Sequence, residues 1–432
     1  MATLIIDPAA KAKKPMRNIL GMNNQPLVRI HSTFLQQKVW WDALNPRYVR
    51  HHDVSLAEGN GQIVDVSRIF PLFHLDENDP RNYRFQATDD YFATVARPDL
   101  EIDFRLGECI DHSGFAWYIQ PPADPEKWAR ICRNIVAHYK NGENNGMHLN
   151  ITRVSVWEEP NNSHLFDGTI EQYVELFCKT YKLLKRDFPD IKVGGPCSMS
   201  DTEYTDKFLT LCKKEGVVPD FTSNTLYSRT VKSVKEILDG LNEVRKKHGI
   251  ENTEHLLTEW HYAPTSWKSS MHGGHGFETA EGAAFSASTL AMLMDLDYLS
   301  TAYYYSWATG IWAPYLFSLG GYPLYPTYYA LLFFQKLATE CERLAVNADL
   351  PEGAFVLAGK TADGRTRVLI SLHDCDDEVL RVEGLGADKA ILKKITMDFN
   401  ESDCTEGEQI AAADGAFEIV HKDRHGVYLL EA

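Results

Sequence analysis

The 432-residue sequence is short of several things, and each shortage removes a class of function. It has no uninterrupted apolar run near the roughly 18 residues that a membrane span needs, and its opening, Met1-Ala2-Thr3-Leu4, lacks the basic segment and apolar core of an export signal. A cytoplasmic protein with no membrane partner is the expectation. The eight cysteines (109, 132, 178, 197, 212, 341, 375, 404) are scattered, with no Cys-x-x-Cys pair among them. Reduced core thiols are therefore expected rather than a zinc or redox motif. Cations are scarce relative to anions, 44 Lys and Arg against 60 Asp and Glu, for a net charge of -16. Nucleic acid is excluded as an expected partner, since phosphate binding is driven by clustered Lys and Arg. A Gly-rich phosphate turn is missing too: the first strand runs into Gly21-Met22-Asn23-Asn24.

What is present is apolar material, 44% of residues, enough for a large core and a smaller second domain. Between about residues 17 and 340, short β-rich runs alternate with amphipathic helical runs, which builds a parallel sheet or barrel. The spacing predicts strands at 17–21, 48–54, 101–107, 152–158, 191–195, 221–227, 254–260 and 299–306. Thr169 with Gln172 reads as a capping box, and Asp124-Pro125 as an N-cap with proline at the first helical position. Eight such units predict an α/β fold, a (β/α)8 TIM barrel over 17–340. Beyond 340 the helical period stops, and runs at 354–359, 366–372, 391–397, 416–420 and 426–431 predict an accessory C-terminal β-sandwich over 341–432. The segment 1–16, through Leu4-Ile5-Ile6, is placed as an edge strand of that sandwich or a frayed terminus. A homo-oligomer built through the exposed sandwich stays open.

In a barrel of this kind, polar groups at the C-terminal strand ends are the ones placed for chemistry. Glu159 closes the fourth strand in Val156-Trp157-Glu158-Glu159-Pro160-Asn161, and Glu259 closes the seventh in Leu256-Leu257-Thr258-Glu259-Trp260. Barrel closure brings strand ends four and seven to face each other across the mouth. Two facing carboxyl groups are what glycoside hydrolysis uses, one to protonate the leaving oxygen and one to attack or to activate water. Trp157 and Trp260 beside them lower the local dielectric, which raises a carboxyl pKa.

These motifs resemble glycoside hydrolase family 39, the β-xylosidases and α-L-iduronidases, within the clan of barrel glycosidases whose two glutamates end strands four and seven. The likeness rests on Val49-Arg50-His51-His52-Asp53, Ile69-Phe70-Pro71 with Ala87-Thr88-Asp89-Asp90-Tyr91, Phe104-Arg105-Leu106-Gly107-Glu108, Glu159-Pro160-Asn161 and Thr258-Glu259-Trp260, followed by a trailing sandwich. It implies a cofactor-free, metal-free, retaining double displacement on an oligosaccharide or glycoside, with Glu259 as nucleophile and Glu159 as acid/base. It further implies sugar contacts from His52, Asp53, Glu158 and Asn161, orientation of the nucleophile by Tyr227, and Trp307 as an aromatic platform. Two residues depart from the family pattern. Glu158 stands where the family has an asparagine that bonds the sugar 2-hydroxyl, and Thr225 stands where it has a histidine. Both changes fall in the subsite of the cleaved sugar, so the glycone is left open between a β-xyloside, an α-L-arabinoside and another sugar. A non-catalytic glycan-binding protein on a decayed barrel is the reading from another class.

Weaker signals were weighed beside these. Met271-His272-Gly273-Gly274-His275-Gly276 reads as a Gly-rich loop over the mouth rather than a metal site. His51 and His52 alternate along a strand, so one faces the barrel interior, and His52 is the better placed. For Glu108, Asp111 and His112, substrate contact and loop solvation are both open.

Overall fold

The computed structural model describes residues 2–26, 32–52, 63–110, 118–263, 276, 278–307, 316, 324–376 and 378–432. After the N-terminal strand β1 (Ala2–Lys11) come β2 (Leu20–Asn23), β3 (Tyr48–His51), β4 (Glu101–Leu106), β5 (Ile151–Val156), β6 (Lys192–Gly194), β7 (Ser198–Met199), β8 (Phe221–Ser228), β9 (Glu254–Tyr262) and β10 (Leu299–Tyr304). β2, β3, β4, β5, β6, β8, β9 and β10 pair in parallel in that order, and Ala302 of β10 lies opposite Leu20 of β2, which closes the sheet into an eight-stranded barrel. The short β7 rejoins β8 nearer the mouth, Met199 opposite Thr225.

The first strand begins later than its sequence pattern suggests because Arg17 has other work. Its guanidinium donates to the carbonyls of Leu293, Met294, Leu296 and Leu299, closing the C-terminal end of the helix Ala280–Leu293. Helix starts follow their caps. Thr169 and Gln172 form the reciprocal capping box of Ile170–Asp187, and Asp124 accepts from the Lys127 amide ahead of Pro125.

The barrel interior is layered. Its floor is a cluster of Tyr48, Phe221, Leu256 and Tyr303, separate from the main core around the helices. Gly21 is required here: a Cβ on it would lie 2.5 Å from the Tyr303 ring. Above the floor sit Arg50, Asp103 and Ser155, all buried, with the Ser155 hydroxyl 2.9 Å from both Asp103 oxygens.

Strands β11 (Cys341–Ala348), β12 (Ala354–Thr361), β13 (Thr366–His373), β14 (Glu378–Glu383), β15 (Lys389–Ile395), β16 (Glu408–Ala411), β17 (Ala416–His421) and β18 (His425–Glu431) form the C-terminal β region. β11, β14 and β16 escape the sequence pattern because their alternation is broken by charges and half-exposed positions. β1 is bonded on both sides, antiparallel to β11 and parallel to β14, so it is an interior strand where an edge was expected. Leu4 and Ile6 supply the reason, since both are buried against the strands of this region. The helix Ala280–Leu293 joins the two halves. Every residue of it but Glu281 is buried, and Ser371 of β13 bonds both Ser288 and the Ala284 carbonyl. None of the helices among the described residues is long and apolar enough to cross a membrane.

Candidate active site

The loop that carries Glu159 is held in an unusual backbone conformation. Trp157 and Glu159 have φ of 68° and 36°, in the left-handed region that non-glycine residues seldom occupy. Backbone bonds over-determine it: the Trp157 amide donates to Leu106 of β4, the Glu159 amide to Cys197 and the Asn162 amide to Glu159. The Trp157 ring turns outward onto Phe166 and Trp128, with its Nε1 bonded to the Leu165 carbonyl. Glu159 is thereby directed to the mouth while its neighbours lock the strand end.

The two glutamates hang from the same strand, β8. The Thr225 hydroxyl donates to Glu159 Oε1 at 2.7 Å, and two residues on, the Tyr227 hydroxyl donates to Glu259 Oε2. Residues two apart in a strand share a face, so the carboxyl groups are neighbours across the mouth. Their surroundings differ. Glu159 accepts from neutral donors only, Thr225 and the Asn162 amide at 3.0 Å, and burial together with the charge of Glu259 pushes its carboxyl up to about 7. Glu259 Oε1 instead faces the Arg50 guanidinium at 3.3 Å and His52 Nε2 at 2.5 Å. The Tyr227 hydroxyl is raised well above its ordinary range, by burial first and then by Glu259, so it stays protonated and donates.

Glu158 lies beneath this pair, 1% exposed. Its Oε2 is bonded to Arg50 and is 3.6 Å from His52 Nδ1, and burial pushes its carboxyl up to about 7 against the opposing pull of Arg50. A sugar contact was expected of this residue, yet its partners are Arg50 and His52, the two residues that also face Glu259. His52, Glu158 and Glu259 offer ligand atoms within 4.8 Å of one another, a possible metal donor set by type. Arg50 already supplies positive charge to both carboxylates. A second such group is Glu281, His373 and His425 at the junction with β13 and β18. There the Asp374 amide donates to His425 Nδ1, which leaves the ring proton on Nε2, 3.9 Å from Glu281, and no lone pair facing the group.

The structure therefore brings Glu158, Glu159, Glu259, His52 and Tyr227 together. His51 turns to the helices, bonded to Gln25 at 2.8 Å against Tyr91 and Phe92, and burial lowers its pKa to about 3. Asn161 is directed elsewhere: its amide bonds the Met199 backbone in both directions and staples the loop to β7, while its neighbour Asn162 reaches Glu159. Trp307 is completely buried, edge-on to Trp41 at 5.1 Å and near Tyr328. The ring that borders the site is Tyr305, with centroids 5.8 Å from His52 and 6.2 Å from Tyr227. β10 ends at Tyr304, so the strand alternation that would have turned Trp307 inward no longer applies. Glu108 is a buried partner of Ser67, and burial followed by the charge of Asp65 raises it to about 8. Asp53, Asp111, His112 and the 271–275 segment lie outside the described residues. Arg50, Tyr305 and Asn162 are the residues the sequence reading left out of the site. For Arg50 a signal was available, since it shares its strand face with His52.

The profile of glycosyl hydrolases family 39 matches residues 9–294. The chain belongs to that family. A β-xylosidase of Caldicellulosiruptor saccharolyticus is 24% identical over 280 residues, 60% of this chain and 54% of the relative, so this chain matches about half the length of that protein. Among solved structures, a glucosidase from Croceicoccus marinus superposes with a TM-score of 0.80 at 22% identity, covering 100% of this chain and 98% of that one. A GH39 β-xylosidase from Caulobacter crescentus gives 0.72 at 17% identity over 99% of both chains, and a GH51 α-L-arabinofuranosidase from Thermotoga petrophila gives 0.67 at 13% over 100% of both. At these identities the likeness to solved structures is one of fold.

Proposed function

We propose that this family 39 chain is a retaining exo-glycosidase, β-xylosidase-like, that removes a terminal sugar from short glycosides by double displacement. The observation that carries the reading is the contrast between the two neighbouring carboxyl groups. Glu159, among neutral donors and raised to about 7, holds a proton near neutrality; Glu259 faces Arg50, His52 and the Tyr227 hydroxyl, surroundings that suit a carboxylate. In the first step Glu159 gives its proton to the glycosidic oxygen as that bond to the anomeric carbon breaks, and a Glu259 oxygen bonds to the same carbon. In the second, Glu159 takes a proton from water, whose oxygen displaces the Glu259 ester and returns the carboxylate. Tyr305 takes the platform role first assigned to Trp307, because its ring borders His52 and Tyr227, which face Glu259. Residues 17–340 are taken as the catalytic unit, with 341–432 and the first strand accessory to it.

The glycone is the finer question. The Caldicellulosiruptor relative favours a β-D-xyloside. Glu158 in the place of an asparagine, and a fold shared with arabinofuranosidases, favour an α-L-arabinofuranoside as the second reading. Kinetics on nitrophenyl β-D-xyloside, β-D-glucoside and α-L-arabinofuranoside separate these, and a clear preference for the last moves the glycone while leaving the mechanism. Glu259→Gln tests the class itself. The expected loss is on the order of 10³-fold or more in kcat with sugar affinity retained, and full turnover by the variant would refute the assignment.

A further inference from the structure

We propose that Glu158 is a positioning residue for the nucleophile, holding Arg50 and His52 on a single oxygen of Glu259. This rests on the reading of Glu259 given above. Two bridges run in parallel between the carboxylates. Arg50 reaches Glu158 Oε2 with Nη2 and Glu259 Oε1 with Nη1 at 3.3 Å. His52 presents Nδ1 to Glu158 Oε2 at 3.6 Å and Nε2 to Glu259 Oε1 at 2.5 Å. All four groups are at least nine-tenths buried, so water does not compete for these contacts.

The imidazole has a carboxylate oxygen at each end, and an ionised carboxylate only accepts. A neutral ring with its proton on Nε2 would turn its Nδ1 lone pair toward Glu158 at 3.6 Å, with the Cys109 thiol beside it at 3.8 Å. A proton between Glu158 and His52 removes that opposition, carried on Nδ1 or on the Glu158 oxygen. In either case Nε2 keeps its proton, 2.5 Å from Glu259 Oε1. It has a second effect as the reaction proceeds. When Glu259 becomes an ester it loses its charge, and an ionised Glu158 is then the carboxylate that still faces Arg50 and His52. An amide at this position can accept from one cation but cannot balance either charge. Glu158 also lies close enough to Glu159 for the charge of either to oppose ionisation of the other.

The test is Glu158→Gln, nearly isosteric, beside the wild type. Both are assayed with the nitrophenyl glycoside that the panel above shows wild type to prefer and with the dinitrophenyl 2-deoxy-2-fluoro glycoside of the same sugar, which accumulates the covalent ester. For the variant, kcat/KM and the rate of trapping on Glu259 should each fall about 10- to 100-fold, the range for losing a hydrogen bond to a charged group, with KM changed far less. The alkaline limb of kcat/KM should move to lower pH as an anion is removed from the vicinity of Glu159, which a purely structural role would not produce. Thermal melting checks that the variant is folded. A double-mutant cycle with His52→Asn closes the argument: if Glu158 acts through His52 the losses are not additive, and additive losses overturn that part. Trapping of the variant at the wild-type rate with an unmoved pH profile overturns the positioning role. Absence of any label on wild-type Glu259 instead removes the nucleophile assignment and this proposal with it.

Discussion

The role proposed for Glu159 ties activity and stability to one carboxyl group. A general acid must be protonated, so kcat/KM is expected to fall as pH rises through about 7, where burial and Glu259 have moved this carboxyl. Thr225 opposes that shift by donating to Oε1, and Thr225→Ala should move the alkaline limb upward by about half a unit to one unit, the equivalent of one modest hydrogen bond. A limb that stays or moves down sinks this account of the site. The same raised pKa bears on folding. A carboxyl whose pKa is higher folded than unfolded contributes stability below the unfolded value near 4.5, and that contribution is lost as pH rises through about 7. Glu159→Gln should therefore be inactive yet more stable at pH 8 by on the order of 2–3 kcal/mol, with the gain shrinking toward pH 5. Melting curves at the two pH values decide it.

At this scale the sequence was legible where a residue's place follows from its strand alone. Glu159, Glu259 and Tyr227 close strands four, seven and six, and closure of the barrel brings them together. Roles that depend on which way a chain turns after the strand were not legible. Asn161 and Asn162 are adjacent and chemically identical, and only the left-handed turn at Glu159 decides that the second one touches the Glu159 carboxyl group. Tyr305 and Trp307 share a strand parity that ceases to hold once β10 stops at Tyr304.

Among the elements, the turn from β5 into the Glu159 loop is the most constrained. Gly107, at the end of β4, has φ of 137° and lies so close that a Cβ on it would be 2.9 Å from the Trp157 Cα. Backbone on that side has nowhere to go. Gly107→Ala is expected to lower stability by about 1–3 kcal/mol, as overpacking does, and to lower kcat more than it raises KM, because the displaced backbone carries Glu158 and Glu159. Wild-type kcat in the alanine variant would show that the loop tolerates the shift. Helices with one exposed face were readable from their stripe, and their caps from Asp124, Pro125, Thr169 and Gln172. The helix Ala280–Leu293 was not, since it is apolar or small all round. Such a helix is buried on every side, and its second neighbour, the β13 and β18 pair, lies some 80 residues or more further along the chain, as in the 83 residues between Ser288 and Ser371.

For the whole molecule, the alternating pattern sufficed for the eight-stranded barrel and the trailing β region, while the place of β1 depended on partners more than 300 residues away. Removing residues 1–11 should expose the facing edges of β11 and β14 and uncover the cavity left by Leu4 and Ile6. The two side chains alone correspond to about 3–6 kcal/mol of burial, and the expected outcome is a lower melting temperature with early proteolysis within 341–432. Unchanged melting and an intact C-terminal region would argue against it.

β1 also has a consequence in time. It ends at Lys11 and its partner β11 begins at Cys341, 330 residues later. At synthesis rates of about 5–20 residues per second, Leu4, Ile5 and Ile6 wait on the order of 15–65 s before the strands that will cover them exist. Throughout that interval the nascent chain carries a sticky β-forming segment ahead of a barrel that is already assembling. The protein is thus most exposed to misassociation during its own translation, and slowing or stalling the ribosome between codons 11 and 341, while β1 waits for β11, should harm its yield more than the same delay placed after codon 383, when β11 and β14 have both been made.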